Sequence, residues 1–214
     1  MSGQPLWGFL IDGSHSSLWL SLAMQRTAKA LSDTVGQSFH HDALQVGTVP
    51  VTGIAKRIGD PGAKTVGIQL EIKGDARGRA LLLVPWDSAL QLVDLLNEEP
   101  SGTTTDLRFE ERATLAEIGN LVLAHFLNAV VAFYPEPRHL QPSPGSVMVD
   151  TLESVLRLAL MPSVVRGADP LTIQVLLLDS EKTIQINLLI LPDHVVAPEG
   201  TDRSGTQGQV RRRP

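Results

Sequence analysis

The chain has 214 residues, no cysteine, 43% hydrophobic residues and a formal net charge of −5. Such a length buries a sizeable core in one domain or two closely joined halves, and the acidic balance argues against a nucleic-acid groove or an anionic membrane surface as partner. Without cysteine there is no disulfide framework, no thiolate nucleophile and no Cys-based metal site.

Residues 1–14 form an N-terminal segment. Its apolar run, PLWGFLI, has no basic stretch before it and no small-residue cleavage site after it, unlike a secretory signal. No run approaches the roughly 18 to 20 apolar residues of a membrane span, so the expected location is the cytoplasm. Residues 15–35 predict a helix with Gly36 as its stop. GQSFHHDALQ reads as a loop, and its adjacent His40 and His41 lack the carboxylate–histidine spacing of a helical metal site. Strands follow at QVGTVPV (45–51), TVGIQLEIKG (65–74) and RALLLVP (79–85), the last two joined into a hairpin by GDARG. DSALQLVDLLNEE (87–99) predicts a helix capped by Asp87.

After the linker PSGTTTD the order repeats. A long helix over 107–133 precedes a Pro-rich loop (PEPRHLQPSPG), the short strand SVMVD and the helix TLESVLRLAL. LTIQVLLLD and KTIQINLLIL then form a second hairpin. Residues 195–214 mix Pro, Gly, Ser, Gln and Arg without periodicity and predict a disordered tail with a solvated RRR.

The two hairpins echo each other: both carry Ile-Gln early and an apolar run ending in Pro and then Asp. Following matching long helices, they imply a duplication, with pseudo-repeats over about 15–99 and 107–194 inside a single domain, 15–194. The expected class is α+β, a mainly antiparallel sheet with two long helices packed on it. RALLLVP, apolar on both sides, belongs at the centre of a sheet covered on both faces.

Within ATLAEIGNLVLAHFLNAV (113–130), about 100° per residue places Leu115, Ile118, Val122, Phe126, Ala129 and Phe133 on one stripe. Ala113, Glu117, Asn120 and Ala124 fall on the opposite side, where the alanines leave the carboxylate and carboxamide open to anything approaching. Solvated helix residues would look the same, although mid-helix Asn costs roughly half a kcal/mol relative to Ala.

ERATLAEIGNLVLAHFLNAV resembles the second catalytic helix of the CheC/CheX/FliY phosphatases of bacterial chemotaxis, whose pattern is Asp/Ser-x3-Glu-x2-Asn followed some twenty residues later by Pro. Glu117 and Asn120 match that pattern, and Pro142 and Pro144 straddle the place of the proline. PGSVMVDTLESVL and GRALLLVPWDSALQLVDLL resemble further family segments, so the likeness runs from about residue 15 to 193. Ala113 stands where the family has Asp or Ser. In the first helix Leu18 and Ser21 stand where Glu and Asn would be, with Ser14 at the leading position. This chain would have one active face.

The resemblance implies hydrolysis of the aspartyl phosphate on a CheY-like response-regulator receiver. The phosphatase would bring no cofactor of its own, because the receiver carries Mg²⁺ and a Lys. It would supply an oriented water, since phosphoryl transfer depends on in-line positioning. Asn120, able to donate and accept without titrating, would aim that water, and Glu117 would pair with a receiver Lys. The same fold also accommodates a non-catalytic module that binds receivers or a CheD-like partner, or a purely structural role with Leu18 or Trp19 in an interface.

Overall fold

Alternation in GRALLLVP turns Ala80, Leu82 and Val84 to one face and Leu81 and Leu83 to the other, and all five are buried. A strand of this kind needs cover on both sides, and the remaining elements supply it. The computed structural model describes residues 6–8, 16–50, 53–134, 136–165 and 170–193. Ser14 and the tail 195–214 lie outside them.

The first half contains α1 (Ser16–Val35), β1 (Phe39–Thr48), α2 (Ile54–Ile58), β2 (Lys64–Gly74) and β3 (Gly78–Pro85). A linking helix, α3 (Trp86–Leu96), leads to α4 (Phe109–Val131), β4 (Leu140–Pro142), β5 (Ser146–Thr151), α5 (Leu152–Val165), β6 (Leu171–Asp179) and β7 (Gln185–Pro192). The strands form one antiparallel sheet in the order β1-β6-β7-β3-β2, with β4 and β5 both on the outer edge of β2. Apart from β4, the order is unchanged when the two halves are exchanged and the sheet is read from its other end. The equivalent strands β3 and β7 meet at the centre, Leu82 opposite Leu188. Each half thus completes the other's sheet: β1 pairs with β6, and β5 pairs with β2.

One face of the sheet is covered by α1, α3 and α4. Leu20, Met24 and Leu31 of α1 and Leu115, Val122 and Phe126 of α4 share a core with Ile68, Val175 and Leu188. On the other face Ile54 of α2 and Val155 and Leu160 of α5 pack on Leu81, Leu83 and Leu189. By length and composition α4 could cross a membrane, but half of its most apolar 18-residue stretch is buried inside the protein. Its apolarity serves the core. The N-terminal apolar run contributes as well: Leu6 and Trp7 are buried, and the Trp7 indole N–H donates to the Arg77 carbonyl at 2.8 Å.

Several expectations change. His40 and His41 are not in a loop; they belong to β1, opposite Leu178 and Leu177. As an outer strand, β1 exposes much of its length, so its polar residues read as loop. Asp87 is not the cap of α3. Pro85 runs straight from β3 into the N-cap position, and Asp87 sits in the first turn without a capping bond, where the helix dipole still favours a carboxylate. The Pro-rich loop contains β4, whose Leu140–Pro142 pairs with Ile72–Gly74.

Two glycines set how closely the layers approach. A Cβ at Gly67 of β2 would collide with Val155 Cγ1 of α5, and a Cβ at Gly119 of α4 would lie 2.7 Å from Ile68 Cγ2. Adjacent residues of β2 therefore bring α5 up on one face and α4 on the other.

Two buried carboxylates tie the loops down. Asp94 accepts the N–H groups of Gly102 and Thr104, each at 2.7 Å, and so anchors the linker that leads into α4. Asp179 accepts the Ile184 N–H at 2.7 Å and the Thr183 hydroxyl at 3.1 Å in the β6–β7 turn, and the Gln37 side chain at 2.6 Å. Burial is the largest single influence on each and opposes ionisation. The hydrogen bonds, from Thr104, Gly102 and Thr103 to Asp94 and from Ile184, Thr183 and Glu181 to Asp179, together outweigh it and hold both carboxyls below their ordinary value.

Two outcomes are expected. Gly119→Ala should lower stability by about 1–2 kcal/mol in urea titrations, because overpacking against a stiff Ile exceeds the roughly 1 kcal/mol gain in helix propensity. The depressed carboxyls contribute stability that is present above the unfolded-state value of about 3.9 and is lost as pH falls through their lower folded values. Asp179→Asn should therefore be less stable near neutrality and show a shallower loss of stability below about pH 4 in a denaturant series.

Candidate functional site

The start of α4 is fixed by its own sequence. Leu107 is buried just before it, the Glu111 carboxylate accepts the Arg108 N–H at 2.8 Å, and Arg112 Nε donates to the Leu107 carbonyl at 2.9 Å. From there Leu115, Ile118, Gly119, Val122, Leu123 and Phe126 are buried, packed in the core shared by α1 and the sheet. The stripe expected from periodicity is the buried one, except at its end. Phe133 lies beyond the helix, half-buried, with the Trp19 ring stacked 6.4 Å away and the Arg26 guanidinium 5.2 Å from its centroid.

On the other side Ala113, Glu117 and Asn120 are exposed and Ala124 is half-buried. One helical turn puts Glu117 and Asn120 about 4.5 Å apart along the axis and about 60° apart around it. Neither side chain makes a hydrogen bond or ion pair with the described residues. Both stand exposed on the helix surface. A small molecule would find little enclosure there, whereas a protein could bring the enclosure itself. Among the described residues no cluster of His, Asp and Glu could hold a metal ion.

The loop 143–145 flanks this face. Ser143 is pinned to the β2 edge, its hydroxyl accepting the Glu71 N–H at 2.9 Å and its own N–H donating to the Glu71 carbonyl at 2.8 Å. A Cβ at Gly145 would come within 3.1 Å of the Ala116 carbonyl oxygen, so the loop lies directly against α4 one residue before Glu117. Of the two prolines that bracket the expected spacing, Pro142 ends β4 and is paired with Ile72, while Pro144 is in this loop beside Gly145. The contact of Gly145 with Ala116 was missed in the sequence. Its only trace there is a small residue at each side of the approach.

The corresponding face of α1 is different. Leu18 is 55% exposed, and Ser21, half-buried, has its hydroxyl 3.1 Å from His41 Nε2. Trp19 is half-buried against Phe133. Of the two long helices, α4 alone carries the carboxylate–carboxamide pair. Ser21 is engaged with β1, and no carboxylate stands at position 18.

No sequence family and no curated protein matches the chain. Solved structures do. The chain is similar to FliY from Thermotoga maritima, with a TM-score of 0.64 and 13% identity over 90% of this chain and 93% of that one. It is also similar to a chain from the CheX–CheY–BeF3–Mg complex of Borrelia burgdorferi, with a TM-score of 0.54 and 14% identity over 82% and 98% of the two chains. A chain from the FliG–FliM complex of H. pylori gives a TM-score of 0.57 and 14% identity over 84% and 94%. The fold is the α+β fold of the CheX and FliY proteins, as the resemblance implied.

Because Glu117 and Asn120 are exposed and without a partner among the described residues, the double variant Glu117→Ala/Asn120→Ala should fold as the parent does. Its stability in thermal or urea unfolding should stay within about half a kcal/mol of the parent, as for surface sites.

Proposed function

We propose that this protein is a CheC-like phosphatase that accelerates hydrolysis of the aspartyl phosphate on a CheY-like receiver, through the α4 face alone. The observation that carries this reading is the unpaired Glu117 and Asn120, one turn apart on a helix held rigidly against the sheet by Gly119. The likeness to a fold found in complex with CheY, BeF3 and Mg supports a receiver as the partner.

A phosphoaspartate in a receiver already has its Mg²⁺ and its Lys beside it, so charge on the transferring group is met by the substrate itself. What remains is to place a water in line with the breaking bond. Asn120 on docking reaches the phosphoryl group, and its carboxamide holds the water through one donor and one acceptor. Glu117 pairs with a Lys of the receiver and sets the docking register. The first-half face takes no receiver, because Leu18 would leave a Lys ammonium desolvated and unpaired and Ser21 is both short and bonded to His41. The protein acts as a single domain, residues 15–194 with Leu6 and Trp7 of the N-terminal segment packed into its core, in chemotaxis-type signalling in the cytoplasm, and brings no cofactor of its own.

A second reading is favoured by Ala113. It is exposed on the same stripe, yet it offers no side-chain oxygen where the resemblance has Asp or Ser. On that reading the α4 face captures a receiver, or a CheD-like protein, without turnover.

Dephosphorylation of a CheY-type receiver charged with acetyl phosphate tests both. Wild-type protein should raise the rate, and Asn120→Ala should abolish the acceleration while leaving binding intact. Glu117→Lys should weaken binding, most strongly at low salt, because exposed charges are screened over about 8–10 Å in physiological salt. Binding without any acceleration would establish the second reading. Full activity in Asn120→Ala would remove the catalytic assignment.

A further inference from the structure

Phe109, the first residue of α4, is 87% exposed, more than the other large hydrophobic residues found exposed among the described ones. Helical geometry places it on the same stripe as Ala113, Glu117 and Asn120, within about 80° of all three. Along the axis it stands roughly 12 Å from Glu117 and 17 Å from Asn120. Ala113 and Ala116, on the helix between the ring and the polar pair, are small, so the ring projects beyond its surroundings on that side.

The backbone beneath the ring is held on every side. Leu107 is buried two residues earlier, Glu111 accepts the Arg108 N–H, and Arg112 returns to the Leu107 carbonyl. Further back the linker is tied to the buried Asp94 through Gly102 and Thr104. The ring is therefore carried on a rigid support, and little backbone order has to be gained when it is buried. Aromatic side chains seated in a partner's pocket are prominent among the residues that dominate binding energy.

We infer that Phe109 is the apolar anchor of the α4 docking face. It seats in an apolar depression on the receiver roughly 17 Å from the phosphoaspartate that Asn120 addresses. This rests on the receiver-directed reading above. The receiver is the occupant because the ring continues the stripe that ends in Asn120. A second copy of this chain seated on Phe109 would instead lie over Ala113 and Glu117 and close the face. Phe109 sets how the receiver docks, Glu117 the charge register, and Asn120 the chemistry.

The test uses the full chain and a CheY-type receiver, phosphorylated with acetyl phosphate for kinetics and activated with beryllofluoride for calorimetry. Phe109→Ala should raise KM and Kd by about tenfold or more, with kcat retained within about twofold, as expected for loss of a binding anchor. That loss should be nearly independent of ionic strength, unlike the loss in Glu117→Lys, and Phe109→Leu should recover most of it. An active wild type whose Phe109→Ala variant has unchanged KM and Kd would overturn the anchor and leave the phosphatase reading standing. A wild type that neither binds nor accelerates would overturn both. Dissociation of a dimer by Phe109→Ala in light scattering, with receiver affinity unchanged, would make the occupant a second copy and also overturn the inference.

Discussion

The structure depends on how tightly β2 is held between its neighbours. Gly67 lets α5 descend on one face, and one residue later Ile68 takes the close approach of α4 at Gly119 on the other. Buried side chains at protein density do not yield continuously, so the position of α4 relative to the sheet has little freedom. Glu117 and Asn120 flank the residue that makes this contact. Whatever approaches them meets groups on a fixed frame, and that suits a chemistry whose demand is the placement of one water molecule.

The two halves build one sheet by exchanging outer strands, and neither half could close its own. Such interdependence leaves the faces of α1 and α4 free to differ, because neither exposed face carries the fold. On α4 the outward positions hold a carboxylate and a carboxamide. On α1 they hold Leu18 and a serine drawn to His41 on the adjoining strand. The asymmetry lies in a few side chains over a near-symmetric backbone order.

Much of this was legible in the sequence where burial and periodicity agree. The long helices, both hairpins and the buried stripe of α4 follow from spacing alone, and so does the outward placement of Glu117 and Asn120. The features that were not legible depend on partners distant in sequence. Phe39, His40 and His41 are strand residues because Leu177–Asp179 lie alongside them, although locally they read as loop. The short strand β4 exists only because β2 offers an edge to a proline-rich segment. Pro85 at the junction of β3 and α3 displaced the cap expected at Asp87, and the short helix α2 carries too few turns to show a period. At the site, the close fit of Gly145 on Ala116 leaves no signal beyond two small residues. The burial of Trp7 against the end of the β2–β3 hairpin shows only as the apolar run PLWGFLI, which does not name its partner.

The outermost strand also bears on how the protein behaves in a crowded solution. Among the described residues β1 pairs only with β6, leaving a ten-residue edge whose backbone groups could template another chain. That edge is not a continuous one. Its register slips between His41 and Leu44, and the slip falls in a polar stretch, His40, His41 and Asp42. A second strand laid along it would lose step partway and meet imidazole and carboxylate groups. The polar, irregular stretch of β1 that reads as loop in the sequence therefore discourages edge-to-edge aggregation, and at its other end the sheet is edged by the short strands β4 and β5.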